Sequence, residues 1–186
     1  MKNQQIIDAL KWRYAVKAFD PSKKVSDENM QTILESAHLA PSSTGLEPWK
    51  FLVIKNTDLR KKIREAGYGQ PKITDASHLV VIAHRTDADA LSPELIERTG
   101  KTQGKTAEQL AGLKGMADDV INGRKNPQDR DSWLAAQTYI PLGMMVETAA
   151  LLGVDAGPME GFNPAQVDEI LGLKAKNLAS TTMIAF

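Results

Sequence analysis

The sequence predicts an α+β or mixed α/β fold arranged around one sheet, and three observations carry that expectation. Helical hydrophobic spacing dominates the chain. Three apolar, β-branched runs, KFLVI, HLVVIAH and STTMIAF, are scattered between the helical segments. No repeat, low-complexity tract or linker interrupts the order. With 186 residues there is enough chain for one sizeable core, so a single domain over residues 1–186 is expected.

The elements follow in order. Ile6, Ile7 and Leu10 recur at helical spacing, predicting a first helix over 4–13 that hands over to an extended YAVKAF. Asp20-Pro21-Ser22 is turn chemistry. Ser26 is placed to cap a second helix with Met30, Ile33, Leu34 and Ala37 on one face, ended by Pro41. KFLVI reads as a buried strand, Asn56-Thr57 as a cap, and DLRKKIREA as a short charged helix. HLVVIAH is the strongest strand. Residues 87–129 turn polar and glycine-punctuated, with short helices expected over 94–98 and 108–121. DSWLAAQTYIPLGMMVETAALLG then predicts a long apolar helix, kinked at Pro141 and stopped by Gly153. A helix over 164–171 and the strand STTMIAF complete the order.

Composition excludes several roles. Lysine plus arginine (23) equals aspartate plus glutamate (23), so no global field draws the protein onto nucleic acid or anionic lipid. The absence of cysteine removes disulfides and thiolate chemistry. The first residues have helix periodicity rather than a signal-peptide pattern, and no stretch approaches a membrane span. A cytoplasmic protein is expected. TGKTQGKT lacks the glycine and the upstream strand of a phosphate-binding loop. His38, His78 and His84 lack metal-ligand spacing, which favours packing or capping roles. Asp118-Asp119 and Asp129/Asp131 are expected to face solvent or cap helices. No serine sits in a nucleophile elbow, so either there is no catalysis or a cofactor carries the chemistry.

Three features remain. Arg13 and Lys17 span the end of the first helix, where the helix dipole alone would also favour cations. LAPSSTGLEPW offers small hydroxyl residues that let a backbone approach a ligand, although a plain helix-to-strand turn would look the same. GPMEGF flanks a proline and a glutamate with glycines, permitting close approach to a flat ring or simply a tight turn.

Together these features resemble the FMN-dependent nitroreductase family. Its motifs correspond to Arg13-x-x-x-Lys17-x-Phe19, Pro41-Ser42-Ser43-x-x-x-x-Pro48-Trp49 and Pro158-x-Glu160-Gly161-Phe162, with QPKITDASHLVV as a fourth piece. The resemblance is nearest to the oxygen-insensitive nitroreductase and flavin reductase branch. It implies a nitroreductase-like fold, a mixed but mainly antiparallel sheet surrounded by helices, in an intertwined homodimer with FMN at the interface. It places Arg13, Tyr14, Ala15 and Lys17 on the cofactor, with Arg13 at the phosphate. Gln70 and Lys72 join them, Lys17 and Lys72 lying near the pyrimidine edge. Ser42, Ser43 and Gly45 would come from the second subunit, and Pro158, Met159, Glu160 and Gly161 would line the ring. No side chain is expected to act as nucleophile or obligatory acid.

The implied activity is hydride transfer from NAD(P)H through FMN to nitroaromatics, quinones or free flavins, by a ping-pong route. Residues 87–129 would cover the pocket. The sequence departs from the family at Ala15 (often serine), Gly45 (asparagine), Glu47 (glutamine) and Gln70 (asparagine). The family also continues beyond the strand that here ends at Phe186, into a tail bearing further basic phosphate contacts, so a weaker phosphate site is expected. Two other readings follow from that: a flavin-storing protein with little turnover, or a dimeric scaffold without cofactor.

Overall fold

The structure is a computed structural model that describes residues 2–186. Several of its helices form where the sequence supplies both an apolar stripe and a capping residue. α1 (Asn3–Trp12) is followed by an extended segment, then by α2 (Asp27–His38), whose first turn is closed by Ser26 accepting from the Asn29 N–H. Met30, Ile33 and Ala37 are buried on its inner face, with Leu34 at the margin. β1 (Trp49–Val53) leads to α3 (Thr57–Ala66), where the Asn56 carboxamide accepts from the Asp58 and Leu59 amides. The one-turn α4 (Lys72–Asp75) precedes β2 (Leu79–Arg85).

Three helices, α5 (Ala88–Gln103), α6 (Ala111–Asn122) and α7 (Pro127–Gln137), build a cap beside the sheet. α8 (Tyr139–Leu151), β3 (Gly157–Met159), α9 (Pro164–Leu171) and β4 (Leu178–Ala185) complete the chain.

The sheet order is β1-β2-β4-β3, and each neighbouring pair is antiparallel. A single parallel bridge, Ala15 to Ala156, adds the segment after α1 alongside β3. β2 is buried on both faces, which is why it reads as a continuous apolar run. Leu79 and Val81 point with Met183 and Ala185 toward Ile63, Ile73, Phe162 and Val167. Val80 and Ile82 point with Ile184 toward Met30, Ile33, Met145 and Ala149. Side chains that alternate along a strand thus serve two cores.

Several expectations need correction. β1 is an edge strand with Phe51, Leu52 and Val53 only half-buried, so it is not the buried strand the run suggests. The polar stretch after β2 is broken at 104–110 and 123–126, and α6 stands where the helix over 108–121 is expected, but the short helix expected over 94–98 is part of α5, one 16-residue helix that continues through Pro93. It needs only one apolar face, and Ala88, Leu91 and Leu95 pack there against Ala117, Ile121, Leu134 and Leu46. The long apolar helix divides at Thr138 rather than kinking within. Pro141 has no N–H for the carbonyl four residues back, and the Thr138 N–H instead tightens onto the Ala135 carbonyl at 3.0 Å. Gly153 ends α8 at φ 67°, as its position predicts.

His38 packs edge-on against Phe51, with ring centroids 5.4 Å apart. His84 is buried between Thr181 Oγ1 (2.8 Å) and Asp131 Oδ1 (3.1 Å), so Asp131 is a partner of the sheet and not merely a solvent-facing acid. Among the described residues no helix is long and apolar enough to cross a membrane.

Candidate functional site

Three segments distant in sequence converge at the β3 edge. After α1, Arg13 takes extended backbone angles, and the Val16 N–H donates to the Ala156 carbonyl at 3.2 Å, laying residues 13–19 along β3. Gly157 makes this approach possible. A Cβ there would stand 2.6 Å from the Val16 carbonyl oxygen, 3.4 Å from Lys72 Cδ and 3.5 Å from Phe19 Cε2. Only glycine fits.

The third segment enters through α4. Gln70 donates from Nε2 to the Gly161 carbonyl (2.7 Å) and the Gly67 carbonyl (3.0 Å), fixing the turn after β3 to the start of α4. Lys72 is 7% exposed, and its Nζ reaches only the Pro158 carbonyl, at 3.5 Å. Burial pushes the Lys72 ammonium below its usual range, and the positive charge of Lys17 pushes it further. Among the described residues, Arg13, Lys17 and Lys72 stand in no ion pair with a carboxylate. A buried cation with a second cation beside it and no anionic partner is complementary to a group that carries or acquires negative charge.

Around this centre, Arg13 is half-buried, whereas Tyr14, Ala15 and Lys17 are exposed. Pro158 is half-buried and Glu160 and Gly161 are exposed. The Met159 side chain belongs to the core with Ile73 and Phe162, so Met159 can offer a ligand only its backbone. Tyr139 opens α8. Burial and the Glu160 carboxylate keep its phenol protonated above the usual range.

The remaining residues singled out in the sequence lie elsewhere. Ser42, Ser43 and Gly45 form a short 3-10 turn ahead of β1, while residues 157–161 are β3 and the two residues that follow it, and these strands are opposite edges of the sheet. The Ser42 hydroxyl accepts from the Glu47 N–H at 2.8 Å, and the Ser43 N–H donates to Gln137 Oε1 at 2.8 Å. Trp49 is buried and tilted against Phe51, anchoring the end of the loop. One chain therefore brings Lys17, Gln70, Lys72 and residues 158–161 together, with Arg13 at the start of the segment that carries Lys17, and holds Ser42, Ser43 and Gly45 at the other edge of the sheet.

Sequence reasoning missed Tyr139, Gln137 and Arg98, which donates to the Gly45 carbonyl at 2.7 Å. For the last two no local signal exists, because their partners lie 94 and 53 residues away.

Residues 10–186 match the model of the Nitroreductase family. A relative from Staphylococcus aureus, assigned by name to the NAD(P)H nitroreductases, is 41% identical over 192 residues, covering 99% of this chain and 86% of its own length. A similarly named relative from Staphylococcus haemolyticus is 39% identical over 194 residues, covering 98% of this chain and 88% of its own.

Among solved structures, a nitroreductase-like protein from Streptococcus mutans superposes with a TM-score of 0.84 at 19% identity, covering 99% of this chain and 88% of that one. A chain from Exiguobacterium sibiricum, named as a nitroreductase and solved in complex with FMN, gives 0.80 at 20% identity, covering 100% and 87%. At these identities the superpositions speak for the fold.

Proposed function

The chain belongs to the nitroreductase family, and from that premise we propose that two copies of it enclose FMN and pass electrons from NAD(P)H to a small-molecule acceptor. The observation that carries the reading is the buried, carboxylate-free Lys72 with Lys17 beside it, above a glycine that lets two backbones meet. The residues present fit a flat ring that takes up negative charge, an isoalloxazine with its phosphate.

In this reading Arg13 takes the phosphate, and Tyr14 and Ala15 border it through an exposed, extended backbone. Lys17 and Lys72 face the edge of the ring that becomes negative, which raises its electron affinity without giving up a proton. Pro158, Met159, Glu160 and Gly161 lie along the ring through their backbone, with Gln70 holding that turn by the Gly161 carbonyl. Ser42, Ser43 and Gly45 of a second copy close the opposite wall, because one chain alone keeps them at the far edge of the sheet. FMN, when bound, supplies hydride uptake from NAD(P)H and delivery to the acceptor.

The protein's share is positioning, exclusion of water and fixed positive charge. We infer a ping-pong order, with nitroaromatics, quinones or free flavins as acceptors and the cytoplasm as the compartment. α5 to α7 cover the pocket and set acceptor choice. Exchanging residues 87–129 for the same segment of another family member should change the ranking of acceptors, and an unchanged ranking refutes that role.

The function as a whole is tested by purification. A yellow protein, bleached by NAD(P)H and restored by a quinone, is the expected result. A colourless protein that takes up no added FMN contradicts the proposal, and one that binds FMN without bleaching contradicts the enzymatic part of it.

A further inference from the structure

The loop ahead of β1 is held in a conformation its own residues do not favour. Thr44 (φ 53°), Gly45 (φ 74°) and Glu47 (φ 48°) are all left-handed, and two of them are not glycine. Such backbone persists only where the surroundings over-determine it. Two neutral contacts help, the Ser42 hydroxyl on the Glu47 N–H and Gln137 Oε1 on the Ser43 N–H.

The charged contact comes from α5. Arg98 donates from Nη2 to the Gly45 carbonyl at 2.7 Å, and the same nitrogen stands 3.7 Å from Glu47 Oε1. The apolar seat of the loop is on that helix too. Leu46 is buried with Leu91 and Leu95, and the open side of Gly45 faces Leu95 Cδ1. One guanidinium thus reaches two of the three left-handed residues, Gly45 and Glu47, from a helix that also carries the loop's hydrophobic anchor.

We propose that Arg98 is a positioning residue for the flavin wall: it fixes the Ser42–Glu47 turn in its cofactor-receiving shape and ties that shape to α5. This deepens, and rests on, the assignment of Ser42, Ser43 and Gly45 to FMN. Helix and loop then act as one body. A change in the helical cap reaches cofactor affinity through the Gly45 carbonyl, without touching the cluster at Lys72.

The test uses deflavinated full-length protein titrated with FMN, followed by quenching of FMN fluorescence, with thermal melts of the same apo samples. Arg98→Met is expected to weaken FMN binding by roughly tenfold or more, the scale of one charge-assisted bond. Lys101→Met removes the same charge from the same helix, but Lys101 pairs only with Glu97, at 2.6 Å, so affinity should stay at the wild-type value. Arg98→Lys keeps one donor for the Gly45 carbonyl and should recover most of the lost affinity.

Arg98→Met indistinguishable from Lys101→Met, or Arg98→Lys no better than Arg98→Met, overturns the inference. Should Arg98→Met fail to fold, Arg98→Lys against wild type decides it. The single amine is expected to bind FMN roughly two- to threefold more weakly than the planar fork, and wild-type affinity overturns the proposal. A wild-type protein that takes up no FMN removes the functional assignment and this inference together. A wild type that binds FMN alongside unaffected Arg98 variants removes the inference alone.

Discussion

Replacing Lys72 by methionine is expected to move stability and activity in opposite directions. The ammonium is buried with no carboxylate partner and shares its surroundings with Lys17, so the empty protein carries an unmatched charge. An apolar side chain of similar length removes that penalty and should stabilise the apo-protein by about 1 kcal/mol. The same change deletes fixed charge where the reduced ring becomes negative. Hydride uptake from NAD(P)H should fall about a hundredfold, as when one preorganised donor is removed elsewhere, and the FMN midpoint potential should become more negative. An unchanged potential refutes the electrostatic role of Lys72.

The same lysine sets a pH signature. Its folded-state pKa lies below the ordinary value of 10.5, because burial and then Lys17 disfavour the charged form. Below the lowered value both folded and unfolded chains hold the proton, and the penalty is fully present. Between the lowered value and 10.5 the unfolded chain keeps a proton that the folded chain has released, so apo stability rises with pH there. Melting temperatures across that window should climb more steeply in wild type than in Lys72→Met. Parallel slopes would contradict the burial argument.

Replacing Arg60 by methionine is the second large effect, this time on folding. Arg60 donates to three carbonyls that close α4 and enter β2: Ile73 at 2.7 Å, Ala76 at 2.6 Å and Ser77 at 3.3 Å. The guanidinium stays charged at any accessible pH although burial lowers its pKa. Without it, two buried carbonyls and one half-buried carbonyl lose their donor at the helix that presents Lys72. A loss of about 3 kcal/mol is expected, because unmet buried acceptors cost more than the bonds contribute. Arg60→Lys should recover only part, since one amine cannot serve three carbonyls in fork geometry. Denaturant unfolding of the apo-protein checks both, and a loss below about 1 kcal/mol for Arg60→Met contradicts the account.

What the sequence disclosed was what short range determines. Ser26 and Asn56 announce their helices because a cap is a contact within three residues. β2 is visible because both of its faces are apolar. α5 does not look like one helix in the sequence because it holds Pro93, Gly100 and many polar residues, yet one buried stripe of Ala88, Leu91 and Leu95 is enough once α6 and α7 supply the other side.

At the site, Arg13, Lys17, Lys72 and Glu160 were singled out through the order of four motifs, since nothing local distinguishes them from surface charges. The approach of their segments follows from the Val16–Ala156 hydrogen bond and the space at Gly157. Arg60, Arg98 and Gln137 act on backbone carbonyls or amides of distant segments. That chemistry leaves no residue pattern at the partner, so it becomes visible only in three dimensions.

The central claim is that each flavin site draws Lys72 from one chain and the Ser42–Gly45 wall from another. Hybrid dimers test it most directly. Lys72→Met protomers, which take up hydride slowly, and protomers blocked in the wall by Ser43→Phe, which bind FMN poorly, are each expected to turn over slowly. Unfolded together and refolded as a mixture, half of the dimers would be hybrids, each with one intact and one doubly altered site. Recovery of roughly a quarter of wild-type activity is the predicted result. A mixture no better than the two variants measured apart would mean that each chain builds its site alone, and would contradict the claim.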